Sequence, residues 1–248
     1  MKPTEHIDAL ETAGLALADA AAEAGPDAAV PTCPEWRIRD LLRHTTTVHR
    51  WATAFVAEGH TAYHPDGGEP ALDGDELLAH YREGHALLVA ALRAAPETLV
   101  CWTFLPAPSP LAFWARRQAH ETTVHRADAE SALATGPGPV DATLAADGID
   151  ELLRGFHARD RSRVHTPEPR TLRVRATDTG DVWTVRLSAT EPPRTERGTT
   201  TATPADTELS GPAHRLYLAL WNRLPTDAVT LTGDDALARL WRENSAII

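Results

Sequence analysis

The first half of the chain has the hydrophobic periodicity of long helices. Apolar residues recur at intervals of three and four over four segments, and Pro- and Gly-bearing stretches separate them. The pattern predicts helices over residues 4–23, 38–58, 75–95 and 111–134. Helices of that length joined by short connections are typical of a helical bundle.

The periodicity changes after Gly136-Pro-Gly-Pro139. A helical stretch over residues 144–158 precedes two segments of alternating, β-branched character at 171–175 and 182–187, which predict strands joined by a hairpin turn. Beyond them the pattern predicts a helix, a short strand and a closing helix, at residues 212–223, 229–231 and 234–243. The Thr-rich run 199–203 fits an edge strand and a loop equally well. The fold class is therefore predicted to be α+β, with a bundle at 1–138 and a small α+β domain at 139–248.

Composition narrows the function classes. The chain has 248 residues, 42% of them hydrophobic and 24% charged, enough for one large or two modest domains. The formal charge of -11, with arginines scattered among acids, argues against a nucleic-acid surface. The sequence shows neither a signal-peptide pattern nor an apolar run of about 18 residues, so we expect a cytoplasmic protein without a membrane partner. We expect it to be a monomer or a homodimer. Two cysteines are too few for a disulfide framework.

Glu121 and His125 are the first candidates for chemistry. Residues four apart on a helix lie on the same face, so this carboxylate and this imidazole can point at one atom. Two His and one carboxylate are a donor set of catalytic zinc, which keeps a further position open for water or substrate. The alternative is an ordinary pair on the surface of a helix.

His44 is the candidate for the third donor. It lies on or beside the apolar stripe of the second predicted helix, whereas His49 falls off that stripe. The alternative is a histidine packed in the core. His120 is expected to point away from His125. The two residues are five positions apart, which places their imidazoles about 140° apart around the helix. The protease motif His-Glu-x-x-His is therefore not the better interpretation.

Two stretches of this sequence resemble the signatures of one family. Pro31-Thr-Cys-Pro-Glu-Trp36 with the helix that follows it, and the segment from Trp114 to Asp128, are similar to those of the mycothiol-dependent maleylpyruvate isomerase family. That family belongs to the DinB-like superfamily of metal-binding four-helix bundles, and its second domain is related to sterol carrier proteins. The resemblance covers essentially the whole chain.

The resemblance also implies a site and its cofactors. It implies Zn²⁺, or another divalent metal, held by His44, Glu121 and His125, with mycothiol as the thiol cosubstrate. The segment Leu218-Ala-Leu-Trp-Asn-Arg223 is similar to the family's Leu-Trp-x-Arg segment, which implies that Arg223 faces the active site. Asn222 stands where a glycine is common in that family.

The expected function is activation of a small thiol. Coordination to zinc deprotonates a thiol whose ordinary pKa is about 8.5, and the thiolate can then add to an electrophilic small molecule. We expect an isomerase of the maleylpyruvate type or an S-transferase. The alternatives are a metal-water hydrolase of thiol conjugates and a non-catalytic accessory protein that binds a metal or ligand.

The remaining candidates each have a structural alternative. Arg116 and Arg117 can clamp a carboxylate or be solvated helix positions. Asp128 can orient His125 or lie at the surface. Cys33 is expected to be packed and inert. Four tryptophans can line a pocket but are expected to belong to the core: Trp36, Trp51, Trp102 and Trp114.

Overall fold

The computed structural model describes residues 1–199 and 204–247. Its internal contacts divide the chain into a helical unit, Met1–Gly138, and a unit of mixed helix and sheet that begins at Pro139. The predicted α+β fold class is confirmed. None of the helices within the described residues is long and apolar enough to span a membrane.

Four long helices build the first unit: α1 Pro3–Ala24, α2 Ile38–Glu58, α3 Gly74–Ala94 and α4 Pro110–Ser131. Each predicted helix is present, with ends shifted by about three residues at most. At the start of α4, the Ser109 hydroxyl accepts a hydrogen bond from the Ala112 amide at 3.1 Å. At the end of α2, Gly59 adopts a left-handed conformation (φ 70°) that a residue with a side chain would adopt at a cost.

The core of the first unit lies between all four helices. Helix α1 packs against α3 and α4, and α2 packs against the same two helices. A Cβ at Gly14 would lie 2.2 Å from Nε2 of His85, so the absent side chain allows α1 to approach α3 closely. One buried cluster joins the helices and the loop after α1: Leu17, Ala18, Ala20, Ala21, Val30, Ile38, Leu41, Leu42, Leu77, Tyr81 and Ala129.

Within residues 139–199 and 204–247, a five-stranded sheet and three α-helices build the second unit. The strands are β1 Arg170–Ala176, β2 Val182–Leu187, β3 Arg194–Gly198, β4 Thr207–Gly211 and β5 Thr230–Gly233, in the order β3-β2-β1-β4-β5. Strand β4 runs parallel to β1, and the other neighbours are antiparallel. The helices are α5 Ala142–Asp150, α6 Ala213–Leu220 and α7 Asp235–Asn244. Helix α5 continues into a π-helical segment, Glu151–Phe156, within the single helix predicted there.

Two strands of the sheet were not predicted. Strand β3 lies at an edge with mostly exposed side chains, so it lacks the alternation that identifies a half-buried strand. Strand β4 is short and joins the sheet through its parallel pairing with β1, a contact distant in sequence. Most of the Thr-rich run predicted as strand or loop, residues 200–203, lies outside the described residues.

Candidate metal centre

Helices α2 and α4 bring His44, Glu121 and His125 together. Oε1 of Glu121 lies 3.3 Å from Nε2 of His44 and 3.2 Å from Nε2 of His125. One donor atom from each residue lies within 4.8 Å of the other two. The i,i+4 spacing on α4 places the carboxylate and one imidazole on the same face, as expected. The structure thus brings together all three residues predicted as ligands.

A buried carboxylate fixes the orientation of His125. Nδ1 of His125 lies 2.8 Å from Oδ2 of Asp128, whose side chain is fully buried. The surface alternative for Asp128 is therefore wrong. Asp128 follows His125 by three residues on α4, and its side chain points into the bundle like that of His125. The other oxygen of Asp128 accepts a hydrogen bond from the Thr32 hydroxyl at 2.5 Å. Metal-binding imidazoles usually make such a contact through their second nitrogen.

Arg117 holds the other side of the Glu121 carboxylate. Its Nη2 donates to Oε2 of Glu121 at 3.2 Å, and its side chain is only 3% exposed. The interpretation of Arg117 as a solvated helix position is wrong, because α4 is buried on nearly all sides and its polar residues must find partners. Arg116, by contrast, is only partly buried.

The charges of the site are strongly coupled. Burial alone would raise the pKa of Glu121, but hydrogen bonds from His125 and His44 and the charge of Arg117 hold it well below its usual range. Burial would lower the pKa of His125, but its hydrogen bonds to Asp128 and Glu121 raise it to about 9. Near neutral pH the metal-free site therefore holds a carboxylate beside an imidazolium, and a metal ion that binds there displaces the proton.

Trp36 forms a wall against both imidazoles. Its ring centroid lies 5.0 Å from that of His44 and 6.0 Å from that of His125, with the latter rings nearly parallel. Trp36 is partly buried and packs on the core of the bundle. The other three candidate tryptophans pack together with Phe55: Trp51, Trp102 and Trp114.

His49 is a core residue, contrary to the prediction that it lies off the buried stripe. It is fully buried, and its Nε2 lies 2.8 Å from the Thr122 hydroxyl. Its ring packs 5.6 Å from that of His85 on α3. Burial lowers the pKa of His49 to about 3, and the charge of the nearby His85 is the second cause of this shift. A single apolar stripe predicts one buried face for α2. The helix packs against α3 as well as α4 and therefore has two buried faces.

His120 faces away from His125, as the helical angle predicts. It is fully buried, and its ring packs 5.9 Å from that of His6 on α1. His120 is therefore absent from the group of donor atoms around Glu121. This arrangement agrees with the rejection of the His-Glu-x-x-His interpretation.

The cysteines are packed. Cys33 lies against the core cluster of the first unit, in agreement with the expectation of a structural residue. Cys101 is buried, and burial raises the pKa of its thiol despite a hydrogen bond with Trp114. A thiol with a raised pKa is a poor nucleophile at neutral pH.

Arg223 belongs to the second unit, just after α6. Its Nη1 donates to the carbonyl of Trp221 at 2.8 Å. The preceding Asn222 has φ 62°, the left-handed conformation that glycine adopts most readily and asparagine tolerates. Both asparagine and glycine can therefore adopt the backbone conformation at this position. The role of Arg223 at an active site stays a prediction.

Comparison with known protein families covers both units. Residues 7–130 match the mycothiol maleylpyruvate isomerase N-terminal domain, and residues 143–240 match the MDMPI C-terminal domain, where MDMPI stands for the same isomerase. The chain belongs to the mycothiol maleylpyruvate isomerase family. The predicted family is confirmed, and with it the prediction of an enzyme.

The fold of this chain is similar to that of two solved structures. A crystal structure of the mycothiol-dependent maleylpyruvate isomerase matches with a TM-score of 0.60, and a histidine-to-alanine mutant of it matches with 0.62. Each comparison covers 94% of this chain and 93% of the other at 12% identity. A search of curated proteins finds no match.

Proposed function

We propose that this protein is a mycothiol-dependent isomerase or S-transferase whose His44, Glu121 and His125 hold a divalent cation, with zinc as the first candidate. The observation that carries the proposal is the convergence of two imidazole nitrogens on one carboxylate oxygen. This donor set suits catalytic zinc, because it leaves a position open for a further ligand. The family supports the use of mycothiol.

The surrounding residues fit a cation at this position. Asp128 accepts from Nδ1 of His125, which leaves Nε2 as the donor atom toward the cation. Arg117 binds Oε2 of Glu121, which leaves Oε1 between the two imidazoles. Two neutral imidazoles and one carboxylate leave a divalent site with a net charge near +1, which attracts an anionic thiolate. A zinc ion bound there would supply one thing, a lowered pKa for the thiol that it coordinates.

The proposed reaction begins with attack by the sulfur of mycothiol. In the isomerase version, sulfur adds to one carbon of a cis double bond, the resulting single bond rotates, and loss of the thiol restores the double bond in the trans form. In the S-transferase version, the new carbon–sulfur bond remains. We propose that Arg223 binds a carboxylate of the substrate, since a guanidinium makes paired hydrogen bonds with that group.

Turnover by the zinc-loaded protein with mycothiol and maleylpyruvate tests this proposal. We expect conversion of maleylpyruvate to its trans isomer that requires mycothiol without consuming it. Stoichiometric loss of mycothiol into a stable adduct would identify the S-transferase branch. Turnover that does not depend on the thiol would contradict both branches. Hydrolysis of a mycothiol conjugate without isomerisation or thiol transfer would favour the metal-water hydrolase.

Matched variants connect the assay to the site. His44→Ala should abolish the mycothiol-dependent turnover. His64→Ala, which changes an exposed histidine in the loop after α2, should leave it unchanged. Equal activity of the two variants would contradict the assignment of His44 to the centre. A protein that is fully loaded with metal but inactive would favour the non-catalytic alternative.

A further inference from the structure

The segment between α1 and α2 contains a rigid turn, residues 31–36, called here the Thr32 loop. The Cys33 amide donates to the Val30 carbonyl at 2.9 Å, and the Trp36 amide donates to the Cys33 carbonyl at 2.8 Å. The Val30 amide closes the turn on the Trp36 carbonyl at 3.0 Å. Cys33 and Trp36 also pack on the bundle core. The backbone of the Thr32 loop is therefore held in place from both ends.

The Thr32 hydroxyl reaches the metal centre through one carboxylate. Its Oγ1 lies 2.5 Å from Oδ1 of Asp128, and because an ionised carboxylate only accepts, the hydroxyl is the donor. The other oxygen of Asp128 lies 2.8 Å from Nδ1 of His125. Hydroxyl, carboxylate and imidazole thus form a continuous chain from the loop to a predicted ligand.

Burial makes this chain stiff. The Asp128 side chain is fully buried and His125 is 7% exposed. A buried carboxylate cannot exchange its partners for bulk water, so loss of one donor changes its orientation or leaves an oxygen without that bond. The orientation of Asp128 in turn sets the ring angle and the protonated nitrogen of His125.

We propose that Thr32 is a positioning residue of the metal centre, which acts on His125 through Asp128 and does not touch the cation. This inference rests on the proposed function, because it takes His125 as a ligand. It gives a physical role to the threonine of the Pro-Thr-Cys-Pro-x-Trp stretch: the loop fixes the outer side of one imidazole by hydrogen bonding. Through Trp36, the same loop packs against both imidazole rings.

Ser131 provides a matched control for Thr32. Its hydroxyl lies 3.3 Å from the Thr32 hydroxyl but donates to the backbone carbonyl of Asp128 at 2.6 Å. The two hydroxyls therefore occupy the same environment and differ in whether they bond to the carboxylate. A general effect of lost polarity should appear in both variants, whereas a positioning effect should appear only at Thr32.

The first test is zinc affinity by competition with a chelator. Thr32→Val keeps the shape and removes the donor, and we expect affinity to fall about tenfold, the order found for outer partners of metal ligands. Thr32→Ser should restore affinity to near the wild-type value, and Ser131→Ala should leave it unchanged. Wild-type affinity in Thr32→Val would overturn the proposal. Thr32→Ala serves as a second hydroxyl-free variant if the valine variant does not fold.

The second test does not need the metal. The ring nitrogen and proton signals of His125 in metal-free protein, observed by NMR, should shift in Thr32→Val and return in Thr32→Ser. Unchanged signals would overturn the positioning role. If the wild-type protein binds no zinc but the His125 signals still shift in Thr32→Val, the proposed function is wrong while the contact from Thr32 to His125 through Asp128 is supported, so the two failures can be told apart.

Discussion

The helical unit contains two groups of histidines in opposite electrostatic surroundings, one on α2 and α4 and the other on α2 and α3. His44 and His125 lie on either side of the Glu121 carboxylate, and the pKa of His125 is raised to about 9. His49 and His85 pack against each other, with a hydroxyl and a backbone carbonyl as polar partners. The pKa of His49 is lowered to about 3.

The comparison separates burial from charge. His49 and His125 are both buried, yet burial determines the pKa of His49 and is outweighed in His125 by two carboxylates. The first group attracts positive charge, whether a proton or a cation, and the second excludes it. A histidine in a bundle core is therefore a candidate ligand when carboxylates face it, and a packing residue when they do not.

Removal of the central charge should have the largest effect. Glu121→Gln keeps the shape of the side chain and removes the negative charge between the two imidazoles. We expect zinc affinity to fall by more than about 100-fold, since even outer partners cost about 10- to 100-fold. Chelator competition measures the change.

Glu130→Gln is the matched control for that variant. Glu130 lies on the same helix, where it accepts from the Gly138 amide at 2.8 Å, away from the imidazoles. Its substitution should leave zinc affinity within about twofold of the wild type. An equal loss in both variants would mean that the net charge of α4, and not the position of Glu121, governs binding.

The two groups should also give opposite pH dependences in the metal-free protein. The pKa of His125 is higher in the native state than its ordinary 6.5, so its stabilisation is complete below pH 6.5 and is lost as pH rises through about 9. The loss amounts to about 3 kcal/mol. His49 has a lowered native pKa, so stability is lost instead as pH falls from 6.5 toward about 3.

Urea denaturation at a series of pH values between about 4 and about 9 measures how the free energy of unfolding changes with pH on the acid and the alkaline side. His125→Gln should flatten the fall in the free energy of unfolding on the alkaline side. His49→Gln should reduce the fall on the acid side and leave the alkaline side as it is. An alkaline slope that persists unchanged in His125→Gln would contradict the charge assigned to that imidazole.

The smallest expected effect concerns Thr122, the residue next to Glu121. Thr122→Val removes the hydroxyl that bonds to His49 but keeps the side-chain shape. We expect a loss of about 1 kcal/mol in the free energy of unfolding, the ordinary value of one buried hydrogen bond. Zinc affinity should not change, and a tenfold loss would show that the two histidine groups act as one network.

Local spacing accounts for the part of the site that could be predicted from sequence. The pair on α4 follows from the helical repeat, and His44 follows from its place on or beside the apolar stripe of the second helix. The resemblance to the family implies the same three residues. Arg117 and His49 were misjudged because a single amphipathic stripe does not describe helices that contact two neighbours. The Thr32 contact joins residues 96 positions apart, so no local pattern contains it.

The same limit applies to the fold. Long helices with caps and clear periodicity were predicted to within a few residues, because their signals are local. Strands β3 and β4 were missed, since an exposed edge strand lacks alternation and a parallel pairing depends on distant residues. Asp128 and Arg117 are both buried, and their burial depends on tertiary contacts that composition and local pattern do not contain.

Metal content of the purified protein tests the central claim most directly. Elemental analysis of protein prepared without added metal should find about one zinc per chain in the wild type and in His49→Ala, and little in His125→Ala. That result would show that the carboxylate-flanked histidines, and not the neutral pair, hold a cation. Absence of stoichiometric metal from the wild type, or full occupancy in His125→Ala, would contradict the account.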